Sequence, residues 1–401
     1  MSRNILLLTQ NFPPDIGAPS FRMEAFAREL ASRGYQVNVL TAYPNRYREL
    51  NVKTYDDFGS NIKVTRIKNI KQSSNLVRRA YSYIDYFIKA FFVALRMRKD
   101  CDMIIATSPQ ILTGYLGALV KSKEKPFLLD VRDLWPDAML DLGLATESSI
   151  IYRILKKIEI YIYKKASVIV INSPAFEEDI RRYVDKRIEL VMNGLDDSFY
   201  ELINKSVPKT HTPGEKIVVT YAGNLGIGQD VKILTKLNRK VSQHFVFKLI
   251  GSGPQSDEIL EVINKDRITN IKVFPPRARN ELVSDYTESD AFFVHLKNIP
   301  MFAKTIPSKI FEYVATRKPV VYGLSGVSKE IMDELNAGYS FEPGNVESLE
   351  DALMRLKSDI EDGTWKYNEN PILKEKYLRS SLSKKFADIV EEVLSESNKQ
   401  D

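Results

Sequence analysis

The sequence has one cysteine, three histidines and no long hydrophobic run. Because Cys101 has no second cysteine to pair with, an internal disulfide is excluded, and nothing indicates an oxidising compartment. No group of histidine and cysteine has the spacing of a metal site. The apolar run at residues 5–8 is too short for a signal-peptide core or a membrane span. We therefore expect a cytoplasmic protein without a resident metal or cofactor.

Basic residues are concentrated in one part of the chain. Residues 61–100 contain ten lysines or arginines and two aspartates, whereas the formal net charge of the whole chain is only +6. This local excess disfavours nucleic-acid binding and indicates a particular partner surface. The periodicity of residues 75–99 predicts an amphipathic helix, with Tyr81, Tyr86 and Phe92 outside its apolar stripe and beside cations.

A basic surface that carries aromatic side chains is typical of proteins that contact anionic lipid. We therefore predict that residues 61–99 contact an anionic membrane surface, at the inner face of the plasma membrane. The same pattern also fits a helix that packs on a core and exposes a solvated face, so both interpretations stay open.

Short apolar runs alternate with amphipathic stretches along two long parts of the chain. We predict strands at residues 4–9, 37–41, 103–107, 127–131, 168–172 and 189–192, and again at 217–222, 245–250, 271–274, 291–295 and 319–322. Such strands, alternating with helices, indicate parallel sheets covered on both faces. A chain of 401 residues with two such series suits two domains.

The polar stretch 204–215 holds two prolines and a glycine and separates the two series. We predict an α/β protein of two Rossmann-like, doubly wound domains at residues 1–195 and 216–370, joined by a connection at 196–215. A last helical segment, 371–401, is expected to cross back to the first domain. Open α/β sheets bind ligands beyond the carboxyl ends of their strands, so we expect the domains to face each other across one cleft.

Five motifs follow predicted strands or begin predicted helices. They are Asn-Phe-Pro-Pro at 11–14, Asp-Val-Arg-Asp-Leu-Trp-Pro at 130–136, Gly-Asn-Leu-Gly at 223–226, Gly-Ser-Gly-Pro at 251–254 and Ile-Pro-Ser-Lys-Ile-Phe-Glu at 306–312. A glycine loop between a strand and a helix lets backbone approach a diphosphate, although it is also an ordinary tight turn. Lys309 lies three residues before Glu312 and therefore on the same helix face.

In this order the five motifs resemble those of the family-four glycosyltransferases, which have the GT-B fold of two Rossmann-like domains. The likeness covers nearly the whole chain and is greatest to bacterial amino-sugar transferases of surface-polysaccharide assembly, such as N-acetyl-fucosaminyl transferases. It implies transfer of an N-acetylated amino sugar from a UDP-sugar to a polyprenyl-diphosphate-linked saccharide, in O-antigen or capsule synthesis. Retention of configuration and independence from metal ions are implied as well.

The resemblance also implies roles for residues of the second domain. Glu312 would accept the ribose hydroxyls, and Lys309 would bind the donor diphosphate. Further residues of the donor site would be Gly223, Asn224, Gly226, Gly251, Gly253, Pro276, Arg277, Lys304 and Ser308. The family places a second glutamate where this chain has Lys304, a difference that leaves the identity of the donor sugar open. Taken alone, Arg277 and Glu312 could equally be solvated charges.

In the first domain the resemblance draws attention to a glycine and to the end of a central strand. Gly17 would permit close approach of donor phosphate or acceptor, and Arg22 beyond it could be a surface charge. Asp133, with Arg132 and Asp130, would orient the acceptor or the reacting sugar. Alternatively, an Asp–Arg pair only stiffens this loop. Asp100 and Asp102 match the Asp-x-Asp motif of metal-dependent transferases. In those enzymes the motif follows a strand, whereas here it precedes one, so we interpret the match as coincidence.

Two other functions fit the same pattern. A UDP-sugar epimerase with this double-Rossmann plan would convert the donor without any acceptor. A non-catalytic subunit of a polysaccharide assembly complex would bind a nucleotide sugar without turnover, and Lys304 keeps that interpretation open.

Overall fold

The computed structural model describes residues 3–15, 17–44, 57–70, 76–108, 110–206, 211–365 and 371–397, without the side chains of 76–80, 279 and 280. These residues form two compact units. The first unit contains Met1–Asn193 and Arg379–Asp401, and the second contains Gly194–Leu378.

A seven-stranded parallel sheet forms the centre of the first unit. Its strands are β1 (Asn4–Leu8), β2 (Gln36–Ala42), β3 (Ile62–Ile67), β4 (Met103–Thr107), β5 (Phe127–Val131), β6 (Val168–Ile171) and β7 (Arg187–Leu190), in the spatial order β3-β2-β1-β4-β5-β6-β7. Only β3 was not predicted, because this edge strand exposes Lys63 and has no continuous apolar run. The carboxyl ends of all seven strands are at one edge of the sheet.

Six helices of the first unit precede the second sheet in the chain. They are α1 (Ala18–Ser32), α2 (Leu76–Met97), α3 (Ile111–Val120), α4 (Asp137–Asp141), α5 (Ile150–Lys165) and α6 (Phe176–Arg181). Helices α2, α3 and α5 share one core cluster with the sheet, in which α3 contacts both α2 and α5. The interior of this layer is mostly apolar, as expected for a doubly wound sheet, and its buried polar residues include Ser82, Thr113 and Glu159.

Helix α2 packs on the sheet through a different face from the one we predicted. Ser82, Tyr86, Ala90 and Ala94 are buried, and the Tyr86 hydroxyl donates to the carbonyl oxygen of Thr9 at 3.2 Å. The prediction of an exposed Tyr86 was therefore wrong, because the small side chains one turn apart let the helix backbone approach the sheet. Tyr81 and Phe92 are exposed as predicted. Lys71 lies outside the described residues, as do the side chains of Arg78 and Arg79.

The second unit has a six-stranded parallel sheet. Its strands are β8 (Ile217–Ala222), β9 (Phe245–Ile250), β10 (Ile271–Phe274), β11 (Ala291–His295), β12 (Val320–Gly323) and β13 (Gly338–Ser340), in the order β10-β9-β8-β11-β12-β13. Its helices are α7 (Asp197–Lys205), α8 (Arg239–Ser242), α9 (Ser256–Lys265), α10 (Arg279–Glu288), α11 (Pro300–Ala303), α12 (Lys309–Ala315), α13 (Gly326–Glu334), α14 (Val346–Glu361) and α15 (Pro371–Tyr377).

Part of the stretch that we predicted as a connection is helix α7. The Asp196 side chain caps this helix by accepting from the backbone N–H of Phe199 at 3.1 Å. Phe199 and Ile203, one turn apart, are buried, and the Phe199 ring meets that of Tyr286 edge-on. The helix therefore belongs to the core of the second unit. Residues 207–210 of the predicted connection lie outside the described residues.

The chain returns to the first unit through α16 (Arg379–Ser397). The rings of Phe26 in α1 and Phe386 in α16 stack at 3.8 Å between centroids, and both are buried. Arg33 at the end of α1 forms ion pairs with Asp388 and Glu391. This confirms the predicted return of the C-terminal helix, although the return begins at Arg379 and not at residue 371. Among the described residues, no helix is both long and apolar enough to span a bilayer.

Candidate active site

The loops that follow β8 and β9 meet through glycines. Gly223 and Gly251 have φ angles of +146° and +153°, which favour glycine. A Cβ atom on Gly251 would lie 1.8 Å from the Gly223 carbonyl oxygen, and one on Gly253 would lie 2.4 Å from that of Leu225. The backbone N–H of Leu225 donates to Ser252 at 3.0 Å. The two predicted glycine loops are thus in direct backbone contact at the carboxyl ends of the neighbouring strands β8 and β9.

Asn224 and Gly226 complete the first of these loops. The Tyr221 hydroxyl donates to the carbonyl oxygen of Asn224 at 2.6 Å, and the Asn224 side chain donates to Gln229 at 3.2 Å. A Cβ atom on Gly226 would lie 2.4 Å from both side chains. A side chain at this position would therefore have to displace the ends of the Asn224 and Gln229 side chains, and Gly226 itself is buried.

Lys309 lies directly beside this loop. Its ammonium group donates to the Tyr221 hydroxyl at 2.7 Å and lies 3.9 Å from the centroid of that ring. A Cβ atom on Gly223 would lie 2.5 Å from Nζ. Burial lowers the pKa of Lys309 to about 7, while Glu312 acts in the opposite direction. Lys309 is thus a poorly solvated ammonium group next to a bare glycine turn, a combination suited to an anion.

Helix α12 presents Glu312 close to Lys309. Glu312 is half-buried in the first turn, one helical turn from Lys309, and the Tyr286 hydroxyl lies 3.5 Å from its Oε2 atom. The helix is held against β8 by Tyr313, whose hydroxyl accepts from the backbone N–H of Ala222 at 2.8 Å. Ser308 directly precedes the helix, and its side chain makes no capping hydrogen bond.

Three further residues that we predicted to bind the donor are Pro276, Arg277 and Lys304. Pro276 and Arg277 are exposed in the loop after β10, where the Arg277 guanidinium pairs with Asp285 at 2.8 Å. Lys304 is half-buried just beyond α11. In that helix the Phe302 ring lies against Gly228, where a Cβ atom would be 2.3 Å away. The ligand roles of these residues remain predictions.

In the first unit, Asp130 is the centre of a buried network. Its carboxylate accepts from the Arg22 guanidinium at 2.7 Å and from the Thr107 hydroxyl at 2.8 Å. Arg22 also donates to the carbonyl oxygen of Met192 at 2.8 Å and is itself buried, so it is no surface charge. Asp130 is completely buried, which assigns it to fixing the strand ends, in contrast to the contact with substrate that we expected.

Arg132 and Asp133 follow at the end of the same strand. Arg132 is buried, and its Nε and Nη1 atoms have no hydrogen-bond partner among the described residues. Burial raises the pKa of Asp133 to about 6, with Arg132 acting in the opposite direction. Asp133 lines a small cavity with Glu159 of α5, whose pKa burial raises to about 7. Gly17 precedes α1, and a Cβ atom there would touch only Pro19 within 4 Å.

Several polar residues at the same edge of the first sheet were not predicted from the sequence. Asn172 and Ser173 follow β6, next to Arg132, and Asn193 follows β7. Their side-chain oxygens are buried without hydrogen-bond partners in the described structure, as is the amide nitrogen of Gln10 beyond β1. Buried polar groups usually have partners, so this row of donors and acceptors suits a hydroxyl-rich or anionic ligand. Only the position after a strand could have identified these residues from sequence.

His295 is the last residue of strand β11 in the second unit. The fully buried His295 accepts from the backbone N–H of Gly344 at 3.0 Å through Nε2, and its Nδ1 atom lies 3.2 Å from the carbonyl oxygen of Asp230. Its ring is therefore engaged within the core. No group of three or more potential metal ligands occurs in the part of the chain that the structure describes.

Comparison with known proteins gives matches along both units. Residues 22–199 match Glycosyltransferase Family 4, and residues 203–370 match Glycosyl transferases group 1. The probable glycosyltransferase WbjE of Pseudomonas aeruginosa is 23% identical over 322 residues, which are 78% of this chain and 79% of WbjE.

Two solved structures have the same fold. Sucrose-phosphate synthase from Thermosynechococcus elongatus has a TM-score of 0.74 at 15% identity, covering 98% of this chain and 99% of its own. HepE of Anabaena, in complex with UDP, has a TM-score of 0.68 at 14% identity, covering 97% of this chain and 100% of its own. With both sheets and both halves of the chain matched in this way, the protein is a glycosyltransferase of the GT-B type.

Proposed function

We propose that this glycosyltransferase transfers a sugar from a UDP-sugar to a saccharide linked to polyprenyl diphosphate. The observation that carries the proposal is the convergence of Lys309, Glu312 and the Gly223 loop at one strand end of the second unit. A cation beside a bare glycine turn suits a diphosphate, and a carboxylate one helical turn away suits the ribose hydroxyls. UDP in the related HepE structure supports this choice of nucleotide.

The sugar is proposed to be an N-acetylated amino sugar, as the resemblance to transferases of surface-polysaccharide assembly implies. Transfer would proceed with retention of configuration in O-antigen or capsule synthesis. When the bond between the anomeric carbon of the donor sugar and the diphosphate breaks, Lys309 and backbone N–H groups would stabilise the leaving diphosphate, so that no metal ion is required. Arg277 and Pro276 would lie beside the nucleotide base of the UDP-sugar, and Lys304 would lie near the donor sugar.

The acceptor is proposed to bind at the carboxyl edge of the first sheet. The unpaired guanidinium atoms of Arg132 and the unpaired oxygens of Asn172 and Asn193 suit the phosphates and hydroxyls of a lipid-linked saccharide. Asp133 would orient the attacking hydroxyl. Since such an acceptor is anchored in a bilayer, we propose peripheral association with an anionic membrane surface through residues 61–99.

We expect Glu312→Ala to abolish turnover, with a loss of at least roughly a hundredfold, because two hydrogen bonds from ribose to a charged group would be removed. Transfer of radiolabelled sugar from UDP-N-acetylglucosamine to a detergent-solubilised acceptor measures it, and circular dichroism checks the fold. Glu347→Ala is the matched control, since Glu347 is exposed in the first turn of α14. Wild-type activity in Glu312→Ala would remove Glu312 from the site.

A further inference from the structure

Eight of the exposed large hydrophobic side chains that the structure describes belong to two helices of the first unit, α2 and α5. Helix α2 exposes Tyr81, Ile88 and Phe92, and helix α5 exposes Ile150 and Ile154. The exposed fraction is 62% for Phe92 and 76% for Ile150. A patch of this kind on a water-soluble surface marks an interaction site, whereas scattered single residues would not.

The two groups of exposed residues belong to one continuous surface. Helix α3 lies between α2 and α5 and contacts both. The ring of Phe92 meets that of Phe91, Phe87 stacks on Tyr115 of α3 at 5.8 Å, and Tyr115 meets Tyr161 of α5 at 5.9 Å. We call this surface of α2, α3 and α5 the apolar face. It is wider than the single helix that the sequence indicated.

Basic side chains border the apolar face along α5. At 100° per residue, Ile150, Ile154 and Tyr161 fall within about 40° of one another, and Arg153, Lys157, Lys164 and Lys165 flank them within roughly another 60°. All four cations are exposed. None of the three lysines forms an ion pair with a carboxylate in the described part of the chain. Arg96 on α2 and Lys99, two residues beyond the end of that helix, are also exposed.

We propose that the apolar face docks on a bilayer of anionic phospholipid, with Ile150 and Ile154 of α5 inserted among the acyl chains. The flanking lysines supply the charge complementarity, because their ammonium groups would lie at the level of the phosphate headgroups. A second copy of this chain would place the same lysines opposite themselves, which costs energy. The docking surface thus includes α5, which lies outside the basic region of residues 61–99.

Helix α5 is hydrogen-bonded to the segment that follows Asp133. Asp137, four residues beyond Asp133, accepts from the Tyr152 hydroxyl at 2.8 Å and from the Lys156 ammonium group at 2.7 Å, both on α5. Docking of α5 would therefore hold this loop near the headgroups. The inference deepens the proposed function, because a lipid-linked acceptor would reach the site from the same bilayer.

Site-specific fluorescence tests insertion. Cys101 is buried and burial raises its thiol pKa to about 11, so an introduced exposed cysteine is labelled selectively. We expect an environment-sensitive dye on Ile154→Cys to shift to the blue with vesicles that contain roughly a third phosphatidylglycerol. The same dye on Leu260→Cys, an exposed position of α9, should not shift.

Vesicle flotation with full-length variants gives the energetic test. Ile150→Ser combined with Ile154→Ser should weaken binding at least about tenfold, and each of Lys157→Gln and Lys164→Gln by about fivefold on anionic vesicles. Leu260→Ser is the matched control and should bind as wild type does.

Three results would overturn the inference. The first is equal, negligible binding of the wild-type protein to anionic and neutral vesicles. The second is unchanged binding of the variant that combines Ile150→Ser with Ile154→Ser. The third is self-association of the wild-type protein without vesicles that this double variant abolishes. Turnover with a detergent-solubilised acceptor should be normal in all these variants. Failure of docking with intact turnover would therefore refute this inference and the proposed membrane association but leave the proposed sugar transfer standing, whereas absent wild-type turnover would count against that transfer alone.

Discussion

Lys309 combines two properties that matter for donor binding. Burial lowers its pKa to about 7, and its ammonium group has the Tyr221 hydroxyl as a close partner beside the Gly223 loop. In the free protein the ammonium is thus easily lost near neutral pH. A bound diphosphate would favour the charged form and raise the pKa of Lys309 again, so donor binding would be accompanied by proton uptake above about pH 7.

The affinity for the donor should therefore fall as the pH rises. We expect the Kd of UDP-N-acetylglucosamine to increase by up to about tenfold per pH unit above 7, because one proton must be taken up on binding. Calorimetric titrations between about pH 6.5 and 8.5 measure this dependence. Lys309→Arg should show no such slope, since guanidinium stays charged. A flat wild-type profile would contradict the combination of a lowered pKa of Lys309 in the free protein and its contact with the diphosphate.

Some residues of the site could be predicted from sequence and others could not. Gly223, Lys309 and Glu312 occur in local motifs at predicted strand ends, and the structure brings them together. The pair of Arg22 and Asp130 joins positions that are 108 residues apart, so no local pattern indicates it. Likewise, an unpaired Asn172 oxygen becomes evident only when its three-dimensional surroundings are known.

At the scale of elements, continuous apolar runs gave the most reliable predictions. Strands β4, β5 and β11 have the predicted bounds and are buried along their whole length, as expected for central parallel strands covered on both faces. Edge strand β3 lacks this signal. In α2 the predicted face was wrong at Tyr86, since this residue is buried in line with the small residues Ala90 and Ala94. Periodicity identifies a helix but does not decide which of two apolar faces is buried.

The return of α16 should contribute strongly to the stability of the first unit. Phe386→Ala would remove a buried ring stacked on Phe26, at a cost of about 3–5 kcal/mol in the free energy of unfolding. Urea denaturation followed by circular dichroism measures it. Phe92→Ala, at an exposed phenylalanine of α2, is the matched control and should cost less than about 0.5 kcal/mol. Equal costs would show that α16 packs only loosely.

At the scale of the whole molecule, the sequence predicted two parallel sheets and a return of the C-terminal helix, which the structure confirms. The repeated alternation of strands and helices carries this information because each βα unit is built from local patterns. The apolar face of α2, α3 and α5 could not be predicted as one surface. Its helices are separated in sequence by strands and loops, and they come together only in the folded unit, where α3 contacts both α2 and α5.

The central claim is that the second unit holds a nucleotide sugar between its glycine loops and α12. A crystal structure of the protein with bound UDP tests it most directly. The account predicts diphosphate oxygens within about 3 Å of Lys309 Nζ and of backbone N–H groups at Gly223 to Gly226, with both ribose hydroxyls on the Glu312 carboxylate. UDP bound elsewhere, with Lys309 and Glu312 not in contact with it, would contradict the account.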